Sequence, residues 1–253
     1  SRGCHQFTFK RITAPYPRRE FAQAHDLALA SQPAYQSAMP QSAFSHVNTW
    51  VFDLDNTLYP PSARLFDQIE VRMTRWVMEA LGVDQARANH LRTHYWHTYG
   101  TTLAGLMREH DLDPGPYLHD VHEISFEALV PDPNLAARIK ALPGRCIVYT
   151  NGTARYAERV IAARGLDGLF QAVYGVENAG FLPKPERAAF DTVFALDALD
   201  PSCAVMFEDD PRNLIAPHEM GMGTVHVAPV AAPADHIHFH TDDLGTFLKR
   251  ITG

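Results

Sequence analysis

Short apolar runs alternate with stretches of helical periodicity along most of the chain, and several of the runs end in acids. Residues 49–55 (TWVFDLD), 145–152 (RCIVYTNG), 172–177 (AVYGVE), 203–210 (CAVMFEDD) and 223–229 (GTVHVAP) are apolar and bounded by polar turns, which predicts five strands. Between them the spacing turns helical. Over 63–82, Leu65, Ile69, Met73, Trp76 and Val77 recur mostly at intervals of three and four, and Gly82 ends the pattern. Helical patterns continue over 84–100 and 101–110, until Pro131 and Pro133 interrupt them. Further helices are predicted over 134–142, 154–165, 186–196, 213–221 (despite Pro217) and 241–251, the last with Thr241 as its cap.

Strands of this length alternating with helices predict an α/β fold, an open parallel Rossmann-like sheet flanked by helices. Residues 61–131 break the alternation with helices alone and read as an all-helical cap inserted after strand one. The α/β hydrolase core is then 47–60 together with 132–253. Residues 1–46 differ from the rest: Ser, Ala, Gln and Pro dominate and no period is sustained, so they read as a flexible N-terminal leader. Met39 reads as an alternative start, which would make the first 38 residues an upstream extension.

Composition narrows the functional classes. A net charge of −7 with no basic stripe argues against a nucleic-acid polymer as partner. A small anionic substrate remains open, because local charge can oppose the net sign. Three scattered cysteines, Cys4, Cys146 and Cys203, make no disulfide framework and suit a reducing, cytoplasmic setting. No run of about 18 apolar residues predicts a membrane span, and the N-terminus lacks the apolar segment of a secretion signal. The pattern gives no oligomeric state.

The chemistry lies where the strands end. In open parallel sheets, ligands bind outside the carboxyl ends of the strands. Here those ends carry Asp53 and Asp55, then Thr150 and Asn151, then Glu208, Asp209 and Asp210. So many carboxylates in one crevice would repel each other without a cation, and hard oxygen donors suit Mg²⁺.

These residues carry a resemblance. DLDNT (53–57) matches the DxDxT signature of the haloacid-dehalogenase-like phosphohydrolases; VYTNG (148–152), KP (184–185) and EDDPRN (208–213) resemble that family's second, third and fourth motifs in order and spacing. YGTTLAGLM (99–107), PDPNL (131–135) and LPGR (142–145) resemble the bacterial pyrimidine 5′-nucleotidases of that superfamily. The resemblance implies a Mg²⁺-dependent phosphomonoesterase acting on a small phosphorylated metabolite, with a pyrimidine nucleoside 5′-monophosphate favoured. It makes Asp53 the nucleophile that forms an aspartyl-phosphate and Asp55 the general acid and then base. Thr150, Asn151 and Gly152 become the phosphate-binding turn, and Lys184 pairs with phosphate and nucleophile. Asp53, Asp209 and the carbonyl of Asp55 become the metal ligands, with Asp210 an outer one. Glu208 is either a metal contact or a plain strand-end acid.

The alternatives are a sugar-phosphate phosphatase or mutase on the same core, or a receiver-like phosphate-sensing domain that does not turn over. Dehalogenases of the family lack an acid at the position of Asp55. Within the cap segment, Tyr99, Thr101, Thr102, Leu103 and Arg108 are suggested by the resemblance as a nucleoside-facing surface, whereas helical packing alone would make Leu103, Leu106, Met107 and Tyr99 core. HIHFH (236–240) and the pair His94 and His97 lack partners at zinc-ligand spacing and read as surface or packing histidines. Arg155 and Arg212 are within reach of phosphate as one reading, and charged helix faces as the favoured one.

Overall fold

The structure, a computed structural model, describes residues 41–252. The expected leader and Met39 therefore fall largely outside the described residues. Of the leader's last residues, Phe44 is buried, with its ring 5.1 Å from that of Phe239 and 6.1 Å from that of Phe247.

Six strands, β1 (Thr49–Phe52), β2 (Arg145–Tyr149), β3 (Ala172–Tyr174), β4 (Ala204–Glu208), β5 (Gly223–Val227) and β6 (Phe239–Thr241), form one parallel sheet in the order β3-β2-β1-β4-β5-β6. The period of two sorts its side chains into two cores. Trp50, Phe52, Val148, Val205 and Phe207 face one way, against α5 (Pro133–Lys140), α6 (Ala154–Ala163) and α9 (Leu244–Thr252). Val51, Ile147, Tyr149 and Met206 face the other way, against α7 (Arg187–Asp197) and α8 (Ile215–Glu219). Being apolar on both faces is why these strands show no alternation in sequence. β1 is central. The chain moves to one side of it for β2 and β3 and to the other for β4 to β6, which creates the crevice between neighbouring strand ends where such sheets bind ligands.

Between β1 and α5 the described chain forms helices and no strand: α1 (Leu65–Leu81), α2 (Gln85–Tyr99), α3 (Thr102–His110) and α4 (Pro114–Val121). α1 buries Leu65, Ile69 and Val77 and ends at Gly82, whose φ of 63° is the left-handed conformation that glycine adopts without strain. α2 is capped by Asp84, α3 by Thr101 and α4 by Asp113, each through a side-chain oxygen that accepts a backbone N–H.

Some elements depart from the sequence reading. Helix α4 was not legible, because Pro114, Gly115 and Pro116 look like a breaker. Placed in the first turn, the prolines lack N–H groups that would have had no helical partner anyway. β6 was also missed: it has three residues, all half-buried, drawn from the histidine-rich run. β3 stops at Tyr174, because Gly175 packs against the start of α6, where a Cβ would lie 2.3 Å from the Ala154 nitrogen. The predicted helix over 213–221 is a 3-10 turn at Pro211–Leu214 followed by the short α8. Thr241 does not cap α9; Asp243 does, with Oδ1 accepting the Thr246 N–H at 2.5 Å.

Gly105 holds α2 and α3 together at close range, since a Cβ there would stand 2.1 Å from Cγ of the fully buried Tyr95. Gly105→Ala is expected to overpack this contact and to lower stability by about 1–3 kcal/mol, as read by urea denaturation. An unchanged midpoint would show that the two helices separate without cost.

Candidate active site

β1 ends at Phe52, and the next residue still reaches the sheet: the Asp53 N–H donates to the Phe207 carbonyl at 2.9 Å. The chain then turns. Asn56 has a φ of 60°, a conformation that Asn tolerates better than most residues, and its amide donates to Asp209 Oδ2 at 3.1 Å. One turn thus places Asp53 in the crevice and ties the end of β1 to the end of β4.

At the bottom of the crevice lies Lys184, only 1% exposed. Its ammonium donates to Asp53 Oδ1 at 2.7 Å, to Glu208 Oε2 at 2.6 Å and to the Tyr149 carbonyl at 3.1 Å. An ammonium has three donors, so all are occupied. Burial opposes its charge, yet the two carboxylates outweigh burial and hold its pKa above the usual lysine range. The backbone of Lys184 is clamped as well. Its N–H donates to Asn151 Oδ1 at 2.8 Å, and Asn151 Nδ2 donates back to its carbonyl at 3.1 Å.

The acids are strongly perturbed. Burial, reinforced by Glu208, pushes Asp53 up to about 8, against the pull of Lys184. Burial pushes Glu208 up to about 7, with Lys184 opposing and Asp209 adding to the rise. Asp209 is pushed up to about 7 by burial and by Asp53. Oxygens of Asp53, Glu208 and Asp209 lie within 4.8 Å of one another. Three carboxylates facing one ammonium cannot all stay ionised comfortably in a buried site. A divalent cation would resolve this, and an all-oxygen donor set fits a hard one. Both oxygens of Glu208 are already engaged: Oε2 by Lys184, and Oε1 by Asn213 at 3.1 Å and the Asp210 N–H at 3.2 Å.

Asp55 takes a different setting. Its Oδ1 accepts hydroxyls from Tyr59 at 2.5 Å and Tyr156 at 2.7 Å. Burial raises its pKa despite those two bonds. Burial, then the neighbouring Asp55 charge, holds both phenols far above their usual range, so they remain donors. The two tyrosines were not legible in the sequence, because one lies four residues after Asp55 and the other 101 residues after it.

Several expected roles change. Asp210 is not among the clustered acids. It accepts the Arg212 N–H at 3.0 Å as a cap and pairs with the Arg212 guanidinium at 2.6 Å. The carboxylate of Asp55 also lies outside the cluster, in keeping with an expectation that named only its backbone carbonyl as a ligand. The Asn151 side chain holds Lys184, leaving its backbone for any ligand. Arg212 is no plain charged face, since it lies 3.6 Å above the Trp96 ring. Thr150 is buried, lines the crevice and accepts the Gly152 N–H at 3.0 Å, keeping its own proton to donate. In the helical segment, Thr101 is occupied as a cap and Arg108 pairs with Glu186 at 3.2 Å, while Leu103 and Leu106 are core. The rings of His226, His236 and His240 bond to backbone carbonyls.

The acids, Lys184 and Thr150 open into a cavity of about 780 Å³. Its floor is Asp53, Asp55, Thr150, Lys184 and Asp209, and its walls come from α1, α2 and α4.

One wall residue carries a pH prediction. His122 is 8% exposed and stacks on Tyr156 at 4.3 Å, and burial lowers its pKa from 6.5 to about 4. Its pKa is lower folded than unfolded, so between those values the unfolded chain binds more protons and stability rises with pH. The contribution is complete above pH 6.5 and lost toward pH 4, up to roughly 3 kcal/mol. Denaturation of wild type and His122→Phe at several pH values is expected to show the smaller pH slope in the variant. Equal slopes would mean that His122 is charged in the fold.

Known proteins share this fold. The solved structure described as a predicted phosphoglycolate phosphatase from Haemophilus somnus superposes with a TM-score of 0.56 at 19% identity, covering 81% of this chain and 98% of that one. The magnesium-bound HAD-hydrolase YfnB from Bacillus subtilis gives 0.53 at 16%, covering 81% and 98%. The L-2-haloacid dehalogenase of Xanthobacter autotrophicus gives 0.54 at 15%, covering 82% and 99%. At these identities the likeness is one of fold. Phosphate metabolism protein 8 of Saccharomyces cerevisiae is 25% identical over 191 residues, 69% of this chain; the match spans 59% of that relative's length. The family model for haloacid dehalogenase-like hydrolases matches residues 47–221, from the approach to β1 through the helix after Asp209. The chain therefore belongs to the haloacid dehalogenase-like hydrolases.

Proposed function

We propose that the protein is a Mg²⁺-dependent phosphomonoesterase working through an aspartyl-phosphate on Asp53, with a pyrimidine nucleoside 5′-monophosphate as the favoured substrate. One observation carries this reading. Asp53 is anchored by Lys184 through Oδ1 alone, beside acids suited to a divalent ion, on the floor of a cavity that Asp55 also lines. Two further points support it: Asp55 is an acid where dehalogenases of the family lack one, and a relative is named for phosphate metabolism.

Asp53 and Asp209 would hold the ion, with Glu208 behind them and Asp210 left to Arg212. Bound there, Mg²⁺ would supply positive charge to neutralise the phosphoryl oxygens. Asp53 Oδ2 attacks phosphorus, and the bond to the ester oxygen breaks. Asp55, kept protonatable by burial, gives its proton to that leaving oxygen. Water then attacks the phosphorus of the aspartyl-phosphate, Asp55 takes its proton, and phosphate leaves with the Asp53 carboxylate restored. The Thr150 hydroxyl and the Asn151 N–H hold the phosphoryl oxygens; the Thr150 N–H is taken by the Tyr174 carbonyl and the Gly152 N–H by Thr150 Oγ1, so Gly152 shapes the turn. Lys184 fixes the nucleophile, its donors being taken by protein. The helices of 61–131 act as the cap that limits water over the site.

Asp53→Asn is expected to abolish turnover of nucleoside monophosphates and sugar phosphates while leaving the far-UV spectrum unchanged. Residual turnover at the wild-type rate would refute the nucleophile. Asp55→Asn is expected to slow turnover about 10²–10⁴-fold.

Chelation with EDTA should stop turnover and added Mg²⁺ restore it. Protons and the ion compete for carboxyls that titrate near 7 to 8, so apparent Mg²⁺ affinity should rise from pH 6 to pH 8, with proton release seen by calorimetry in two buffers. An affinity independent of pH would place the ion elsewhere.

A further inference from the structure

One face of α2 is polar where a buried helix would be apolar, and it faces the cavity. Asn89, Arg92, Thr93 and Trp96 recur at intervals of three, four and seven, and all four line the cavity. The residues α2 buries are Ala88, Leu91 and Tyr95. Asn89, Thr93 and Trp96 are exposed, Trp96 at 43%. Large indoles usually bury more of their surface than this.

Trp96 is also held in place. The Arg212 guanidinium covers one side of its ring at 3.6 Å and donates to the Trp96 carbonyl at 3.2 Å. Asp210, itself a cavity-lining residue, holds that guanidinium at 2.6 Å. Trp96 lines the cavity, and Arg212 is not among the cavity-lining residues. With Arg212 on one side, the indole is still 43% exposed. The His97 ring meets the indole edge-on at 4.7 Å. A flat aromatic surface lining the same cavity as Asp53 and Thr150 suits a planar ring carried by the phosphate ester.

The polar end of the same face is organised too. Arg92 donates to Thr74 Oγ1 at 2.7 Å and to Glu70 Oε1 at 3.0 Å, and the Thr74 hydroxyl, with one proton, lies 3.0 Å from both the Glu70 carbonyl and Asn89 Oδ1. Asn89 brings an amide to this face seven residues, or about 10 Å of helix, from Trp96. Stacking surface and hydrogen-bonding group on one helix face match a ring with a polar edge.

We propose that Trp96 is the specificity-determining residue, the platform on which the substrate's planar base stacks. The proposal rests on the phosphomonoesterase reading and deepens it: the substrate is a phosphate ester bearing a planar heterocycle, and the selection is made on α2.

The experiment compares uridine 5′-monophosphate with ribose 5-phosphate, which has the same phosphate and sugar and no base. With Mg²⁺, wild type is expected to favour the nucleotide in kcat/KM. Trp96→Ala is expected to raise KM for the nucleotide about fivefold to a hundredfold, with kcat/KM for ribose 5-phosphate within about threefold of wild type. Trp96→Phe is expected to restore most of the nucleotide KM. In Asp53→Asn, which does not turn over, the nucleotide should quench tryptophan emission, and the added Trp96→Phe change should remove the quench while Trp50 and Trp76 remain. Equal losses on both compounds, no preference for the nucleotide, or a quench that survives Trp96→Phe would each overturn the platform and leave the hydrolase standing. Turnover of neither compound by wild type would refute the hydrolase reading itself, and the platform would fall with it.

Discussion

A single buried ammonium organises this molecule's chemistry. Lys184 lies at the meeting point of three chain segments, joined to Asp53 after β1, to the Tyr149 carbonyl of β2 and to Glu208 at the end of β4. Two carboxylates could not be buried there without it, and it could not be buried without them. The geometry of Asp53 is therefore set by the sheet: neighbouring parallel strands in register bring their ends to one level, and Lys184 bridges them. Asn151 supports this from behind by clamping the Lys184 backbone on both sides.

Around that ion pair the site separates into two acid environments. Asp53, Glu208 and Asp209 share a crowded, buried, negatively charged space suited to a cation. Asp55 is turned to two tyrosine hydroxyls on one oxygen. Two carboxylates two residues apart thereby acquire different tasks, one anchored by an ammonium and one suited to exchanging a proton. The separation arises because the chain leaves the sheet after Phe52, so the period of two no longer places both acids on one face.

The helical segment completes the site through shape and through bridging contacts. Arg212, beside the acid cluster in sequence, stacks on Trp96 of α2, and Arg108 of α3 pairs with Glu186 beside Lys184. Gly100 packs closely on the same lysine segment, where a Cβ would lie 3.1 Å from the Lys184 carbonyl. The cavity is thus bounded by helices that touch the segments carrying Lys184 and Asp209 directly.

The sequence by itself determined the sheet-and-helix alternation, the helical insertion and the acids at the strand ends. Each is a local signal: an apolar run too short for a helix, a period near 3.6, a carboxylate after a buried strand. Tertiary structure decided what those acids do. Glu208 became a partner of Lys184, Asp210 was drawn away by Arg212, and Tyr59 and Tyr156 were recruited to Asp55. It also decided that the polar stripe of α2 faces a cavity, when polar residues at helical spacing look the same in sequence whether they face bulk water or a ligand. Hydrogen bonds and ion pairs between distant segments depend on distances of a few ångströms, and those exist only once the sheet register and helix packing have closed the chain on itself.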